Sequence, residues 1–150
     1  MDEKLLYRSF RIEAEGEFDS EERTVELSFS SETPVERSFG NEVLDHSADS
    51  VDLSRINSAA PLLLEHDRTQ QIGVVERAWI DEEDKKGRAV VRFSRSDLGQ
   101  SILTDVRDGV RQLISFGYEV RKFTREVAKE GMDTFRATSW LPMEISVVSI

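Results

Sequence analysis

Thr24-Val25-Glu26-Leu27-Ser28-Phe29-Ser30 alternates strictly, with Val25, Leu27 and Phe29 on one side, as a half-buried strand does. Upstream, residues 5–14 alternate less cleanly, but Phe10, Ile12 and Ala14 share a face and read as a strand. Gly16 and the charged residues 19–23 read as the turn that would join these two into a hairpin. Residues 31–37 contain Pro34 and read as an irregular connector. Residues 39–44 read as a short strand or a turn, and 45–50 as a polar turn. Residues 51–57 read as one helical turn with Leu53 and Ile56 inward. Leu62-Leu63-Leu64-Glu65-His66 reads as a compact buried strand, followed by a polar loop over 67–71. Residues 72–80 and 88–93 then read as the arms of a hairpin around the turn 81–87.

Helical periodicity longer than one turn appears once. Leu98, Ile102, Leu103, Val106 and Val110 fall on one face; Ser96 is the predicted N-cap, and Asp108-Gly109 the predicted stop. The chain then enters the apolar strand Gln112-Leu113-Ile114-Ser115-Phe116-Gly117-Tyr118-Glu119-Val120. Residues 122–133 read as a charged, mobile connection, 134–140 as an alternating strand and 144–150 as a last strand. That last run is still apolar at Ile150, whereas chain ends are usually polar and frayed. One domain over 1–150, cut from a longer protein, is therefore the expectation. Many short strands with one clear helix predict a mostly β domain, barrel-like or strongly bent.

Composition narrows the function. The 150 residues are 38% hydrophobic and 33% charged, enough to bury one core. Thirty acidic against 20 basic residues give a formal net charge of -10, which argues against sequence-independent nucleic-acid binding. No apolar run approaches the roughly 20 residues of a membrane span, and the acidic N-terminus does not read as a secretory signal. With no cysteine and only two separated histidines, thiolate zinc sites and cysteine nucleophiles are excluded, and neither a metal nor another cofactor is expected.

Three apolar stretches each carry one chemically useful group: Ser115 in the 112–120 strand, His66 after Leu62-Leu63-Leu64, and Glu144 in Leu141-Pro142-Met143-Glu144-Ile145-Ser146-Val147-Val148. A serine becomes nucleophilic when a base takes its proton, and a third group orients that base. Asp67 is a rival to Glu144 as orienter, although strand neighbours point to opposite faces. His46 is a rival to His66 as base, read here as an exposed loop residue. The nucleophile elbow Gly-x-Ser-x-Gly is absent, as are phosphate, zinc and calcium motifs.

These stretches together resemble the prohead maturation proteases of tailed bacteriophages, serine peptidases that share a fold with herpesvirus assemblin. The matching pieces run in the family's order: Phe29-Ser30-Ser31-Glu32-Thr33-Pro34-Val35, Glu42-Val43-Leu44, Leu62-Leu63-Leu64-Glu65-His66-Asp67 with Ile72-Gly73, then Gly109 leading to Ile114-Ser115-Phe116-Gly117-Tyr118, and last Leu141 onward through Val148. The resemblance implies a β-barrel-like core flanked by helices and an endopeptidase with Ser115 as nucleophile and His66 as general base. Assemblins use a second histidine as the third member; none follows Ser115, and Glu144 takes the matching late position. The implied partner is a scaffold protein or the scaffolding segment of a major capsid protein, cleaved inside the immature capsid within the host bacterium. Self-processing and a homo-oligomer, such as a dimer, are implied too. Two rival functions stand beside it: a non-catalytic capsid-assembly or scaffold-binding module on the same fold, and a ligand-binding barrel with Trp79, Trp140 and Phe116 lining a pocket.

Overall fold

Alternation of apolar and polar side chains becomes strand nearly everywhere in the described residues, 5–12 and 21–150 of a computed structural model. In chain order the elements are β1 (Leu6–Arg11), β2 (Thr24–Ser31), β3 (Val35–Arg37), β4 (Gly40–Leu44), β5 (Pro61–Leu64), β6 (Asp67–Asp81), β7 (Lys86–Phe93), α1 (Asp97–Arg107), β8 (Leu113–Glu126) and β9 (Thr134–Val148). All the strands belong to one sheet with the main path β1-β8-β9-β5-β6-β7-β2; β4 adds beside β9, and β3 beside β4. The two edges, β1 and β2, approach each other, so the sheet curls. The mostly β, barrel-like class is as expected, with a single helix among the described residues. The core fills the inside of the curl, where Phe29, Phe116, Tyr118 and Trp140 are fully buried. Phe116 is its hub: it stacks on Tyr118 at 4.9 Å and meets Phe29 edge-on at 5.5 Å.

The helix forms as its periodicity dictates. Ser96 caps it by accepting the Gly99 N–H at 3.2 Å, and Ile102, Leu103 and Val106 are buried. Asp108 is the C-cap, and Gly109 follows at φ 73, a conformation glycine adopts without strain. Val110 lies past this stop and is 70% exposed, so it does not belong to the apolar face.

Several expectations need correction. β1 and β2 do not pair with each other: β1 pairs with β8, and β2 with β7. Alternation reports which face is buried, not which strand lies alongside. Ala14, Gly16 and the start of the expected turn lie outside the described residues. The 31–37 connector contains β3, which pairs with β4. Of the expected mobile connection over 122–133, residues 122–126 extend β8, paired with β9 out to Glu126 and Thr134, and 127–133 form the loop between them. β9 is one strand, not two. Pro142 suggests a break because it lacks an N–H, but the sheet absorbs it in a bulge: Gly117 pairs with Glu144 and Tyr118 with Pro142, leaving Met143 extra. Trp140 and Phe116 are core residues, while Trp79 packs under the Arg77 guanidinium at 5.2 Å, so the three line no shared pocket.

Candidate active site

The period of two along β8 and β9 divides their side chains. Ile114, Phe116, Ile145 and Val147 enter the core, and Ser115, Gly117, Glu144 and Ser146 share the opposite face. On that face Ser115 lies across from Ser146, and Gly117 across from Glu144. The Met143 bulge sits one residue before Glu144, where it re-aims the following side chain. A Cβ at Gly117 would stand 2.9 Å from Glu144 Oε1 and 3.1 Å from the Tyr7 ring, so any other residue there would push on the carboxylate.

His66 arrives from another direction. β5 runs parallel to β9, pairing Leu62, Leu63 and Leu64 with Ile145, Ser146 and Val147. The strand ends at Leu64 rather than at His66, and Asp67 already belongs to β6. Glu65 and His66 form the two-residue turn between them, at φ 55 and 58. Such hairpin turns usually use glycine or asparagine for these left-handed positions. A glutamate and a histidine held there are strained, a state found where the surroundings over-determine it. Here the Glu65 N–H donates to the Val147 carbonyl at 2.9 Å, and the His66 N–H to Ser146 Oγ at 3.2 Å.

The three side chains meet in one hydrogen-bonded line. His66 Nε2 lies 2.9 Å from Ser115 Oγ, and His66 Nδ1 lies 2.5 Å from Glu144 Oε1. A carboxylate on Nδ1 favours the tautomer with hydrogen there, which leaves Nε2 to accept the serine hydroxyl proton. Glu144 is held in turn: Ser146 Oγ donates to its second oxygen at 2.7 Å. Ser146 thus ties the carboxylate to the backbone of the histidine, a role its sequence position gave no sign of. The Tyr7 ring packs on the imidazole at 4.4 Å. Tyr7 is placed by its neighbour Arg8, whose buried guanidinium bonds Glu42, Tyr118 Oη and the Thr33 carbonyl. Burial, with the Glu42 carboxylate, pushes the Tyr118 hydroxyl above its ordinary value.

The rivals are placed elsewhere. The Asp67 carboxylate turns back to the Thr69 N–H and hydroxyl, at 2.9 and 2.6 Å. His46 is not an exposed loop residue: it is fully buried, with Nδ1 donating to the Leu44 carbonyl at 2.7 Å and Nε2 accepting from Ser30 Oγ at 2.8 Å. Partners for both ring nitrogens remove the usual obstacle to burying an imidazole. Beside the line, a cleft of about 420 Å³ is lined by Tyr7, Arg55, Leu63, His66, Arg68, Met143 and Glu144, among others. A larger groove of about 820 Å³, around Arg23, Arg92 and Arg95, does not include any of the three residues.

A curled β domain carrying a serine, a histidine and a carboxylate in hydrogen-bonded series has the form of a serine hydrolase. The chain belongs to the Caudovirus prohead serine protease family, whose model matches residues 16–150. It is 48% identical over 127 residues to a protein named major capsid protein from Halomonas phage phiHAP-1. The match covers 83% of this chain, which spans only about a fifth of that relative's length, 21%. Among solved structures the fold is similar to the capsid assembly protease gp21 of bacteriophage T4, with a TM-score of 0.61 at 14% identity, covering 98% of this chain and 99% of the other.

Proposed function

We propose that this chain is a serine endopeptidase with Ser115 as nucleophile, His66 as general base and Glu144 as the group that orients the base. The observation that carries this reading is the unbroken line from Ser115 Oγ through both ring nitrogens of His66 to Glu144. A peptide carbonyl seated at Ser115 receives the oxygen's electron pair as the hydroxyl proton moves to Nε2. The imidazolium formed is stabilised by the Glu144 carboxylate, which Ser146 keeps in place. Collapse of the tetrahedral adduct breaks the C–N bond, and the leaving amine takes the proton from Nε2. Water then attacks the acyl-enzyme by the same route, releasing the acid and restoring Ser115.

The substrate we assign is a scaffold protein, or the scaffolding segment of a major capsid protein, cleaved inside the immature capsid in the bacterial cytoplasm. Membership of a prohead protease family and the relative named a major capsid protein support it. The 150 residues act as one protease domain. In a longer chain resembling that relative it would cut its own junctions, as a monomer or as a homo-oligomer such as a dimer. The test is Ser115→Ala, co-expressed with the scaffolding segment and treated with a fluorophosphonate probe. We expect the wild type to cleave and to be labelled at Ser115, and the variant to do neither while remaining folded. Cleavage by a folded Ser115→Ala protein would remove Ser115 from its role.

A further inference from the structure

Tyr7 and Arg8 are neighbours on β1, so their side chains leave on opposite faces of the sheet. Arg8 goes inward, where its guanidinium bonds the buried Glu42 carboxylate at 2.9 Å. Tyr7 therefore goes outward, onto the face that carries Ser115 and Glu144. It is 44% exposed and does not pack against the core, so burial of its ring does not account for its place. Its backbone is nonetheless held twice: β1 pairs it with Gly117, and Arg37 donates to its carbonyl at 3.1 Å. Tyr7, Gly117 and Glu144 thus stand in one row across β1, β8 and β9. The glycine leaves a gap in the middle of that row, and the residues on both sides lean into it. Both reach the same imidazole. Glu144 meets Nδ1 at 2.5 Å, and the Tyr7 ring centre lies 4.4 Å from that of His66, with an angle of 53° between the rings. When Nε2 takes the Ser115 proton, the imidazole becomes a cation. An aromatic ring within about 6 Å attracts a cation through its quadrupole. A contact that strengthens as the imidazolium forms lowers the barrier without tightening the binding of substrate.

We infer that Tyr7 is a positioning residue for the proposed triad, whose aromatic ring holds the His66 imidazole and stabilises the imidazolium formed during acylation. This rests on the protease reading above and adds to it a side chain supplied by the N-terminal strand. Glu144 supports the charge through Nδ1, and Tyr7 supports it across the ring. The contact is made by the ring, so phenylalanine at this position should serve and an aliphatic side chain should not.

The experiment compares Tyr7→Leu, Tyr7→Phe and Tyr7→pentafluorophenylalanine on one quenched-fluorescent peptide taken from the scaffolding segment, with folding checked by urea unfolding. Pentafluorophenylalanine keeps the shape of phenylalanine and inverts its quadrupole. We expect the leucine and pentafluoro variants to lose about fivefold to tenfold in kcat with KM unchanged, and Tyr7→Phe to restore the rate. A pentafluoro variant as fast as Tyr7→Phe overturns the inference, because only the charge distribution of the ring differs between them. A loss carried by KM overturns it as well, by making Tyr7 a substrate contact. So does a Tyr7→Phe protein as slow as Tyr7→Leu, which would assign the effect to the hydroxyl. Where Tyr7→Leu fails to fold, the two aromatic variants decide alone. Fluorophosphonate labelling of the wild type reports the triad separately. Labelled, active protein that is indifferent to the ring at position 7 overturns the role of Tyr7 and leaves the protease reading standing. Wild-type protein that is neither labelled nor able to cleave overturns the protease reading, and this inference with it.

Discussion

The described residues contain two serine–histidine pairs, alike in their hydrogen-bond lengths and suited to different ends. Ser115 lies 2.9 Å from His66 Nε2, and Ser30 lies 2.8 Å from His46 Nε2. In each, the far nitrogen Nδ1 has an oxygen partner, at 2.5 Å for His66 and 2.7 Å for His46. The difference lies in that partner and in access. Behind His66 stands a carboxylate, which stabilises an imidazolium; behind His46 stands the Leu44 carbonyl, which carries no charge to do so. The His66 side chain is 24% exposed and borders a cleft, whereas His46 is sealed beneath Trp140. Burial pushes the His46 imidazole below its ordinary value. A serine near an imidazole is therefore not a hydrolytic site by itself. The base has to be able to hold a proton, and a substrate has to be able to reach it.

The widest separation between the pairs should appear in activity. Under the proposed mechanism Ser115→Ala is expected to lower kcat/KM by roughly 10⁴-fold or more, since the members of a serine–histidine–carboxylate triad act as a unit. Ser30→Ala, made in the buried pair, should leave the rate of folded protein within about twofold, because no substrate contacts that site. Equal losses in the two variants, measured on the same peptide at matched folded concentration, would erase the distinction. The next effect tests the partner behind the ring. Glu144→Gln keeps the shape but removes the charge, and an amide can present its NH₂ to Nδ1 and favour the wrong tautomer. We expect a loss of roughly 10³-fold in kcat with little change in KM. A near-native kcat would show that the carboxylate is not what separates the two pairs.

How much of this was legible beforehand depends on whether the deciding interactions were local. The helix was readable because its cap, apolar face and terminating glycine lie within 14 positions, 96 to 109. The partners of β1 and β2 were not, since a strand's alternation is satisfied by any neighbour presenting an apolar face. Pro142 concealed the length of β9 because a bulge can only be recognised once the opposing strand is known. Ser115, His66 and Glu144 stood out by residue type within apolar runs, and the fold brings their side chains together. Ser146 did not stand out, since a strand serine two residues past a glutamate has no sequence signature for bridging to a histidine backbone. His46 was misplaced for a related reason: what buries it is a carbonyl two residues back and a serine 16 residues away, and neither is visible in a polar 45–50 segment.

Stability should then rank the pairs the other way. Ser30→Ala leaves the buried His46 Nε2 without a hydrogen-bond donor, and an unsatisfied buried polar group costs about 1–3 kcal/mol. Urea unfolding should register that loss in full. Ser115→Ala should cost less, because His66 Nε2 is near enough to the cleft to bond water instead. A larger loss at Ser115 than at Ser30 would mean that the half-exposed pair is the structural one.

The smallest effect is in pH dependence, and it isolates the buried ring. His46 is held below its ordinary value of 6.5 chiefly by burial, with Arg8 acting in the same direction and the Leu44 carbonyl, Glu32 and Asp45 opposing. Below 6.5 the unfolded chain takes up a proton at this position that the folded chain refuses. The stabilisation is therefore complete above that pH and is lost as the pH falls from there toward the folded-state value. Other groups titrate in the same window, so the informative quantity is a difference. His46→Gln should be less stable than the wild type at pH 8, and the gap between the two should narrow as the pH is lowered to 5. A gap for His46→Gln that stays constant across this range would show that the buried imidazole charges without penalty, and the contrast between the two pairs would then rest on access alone.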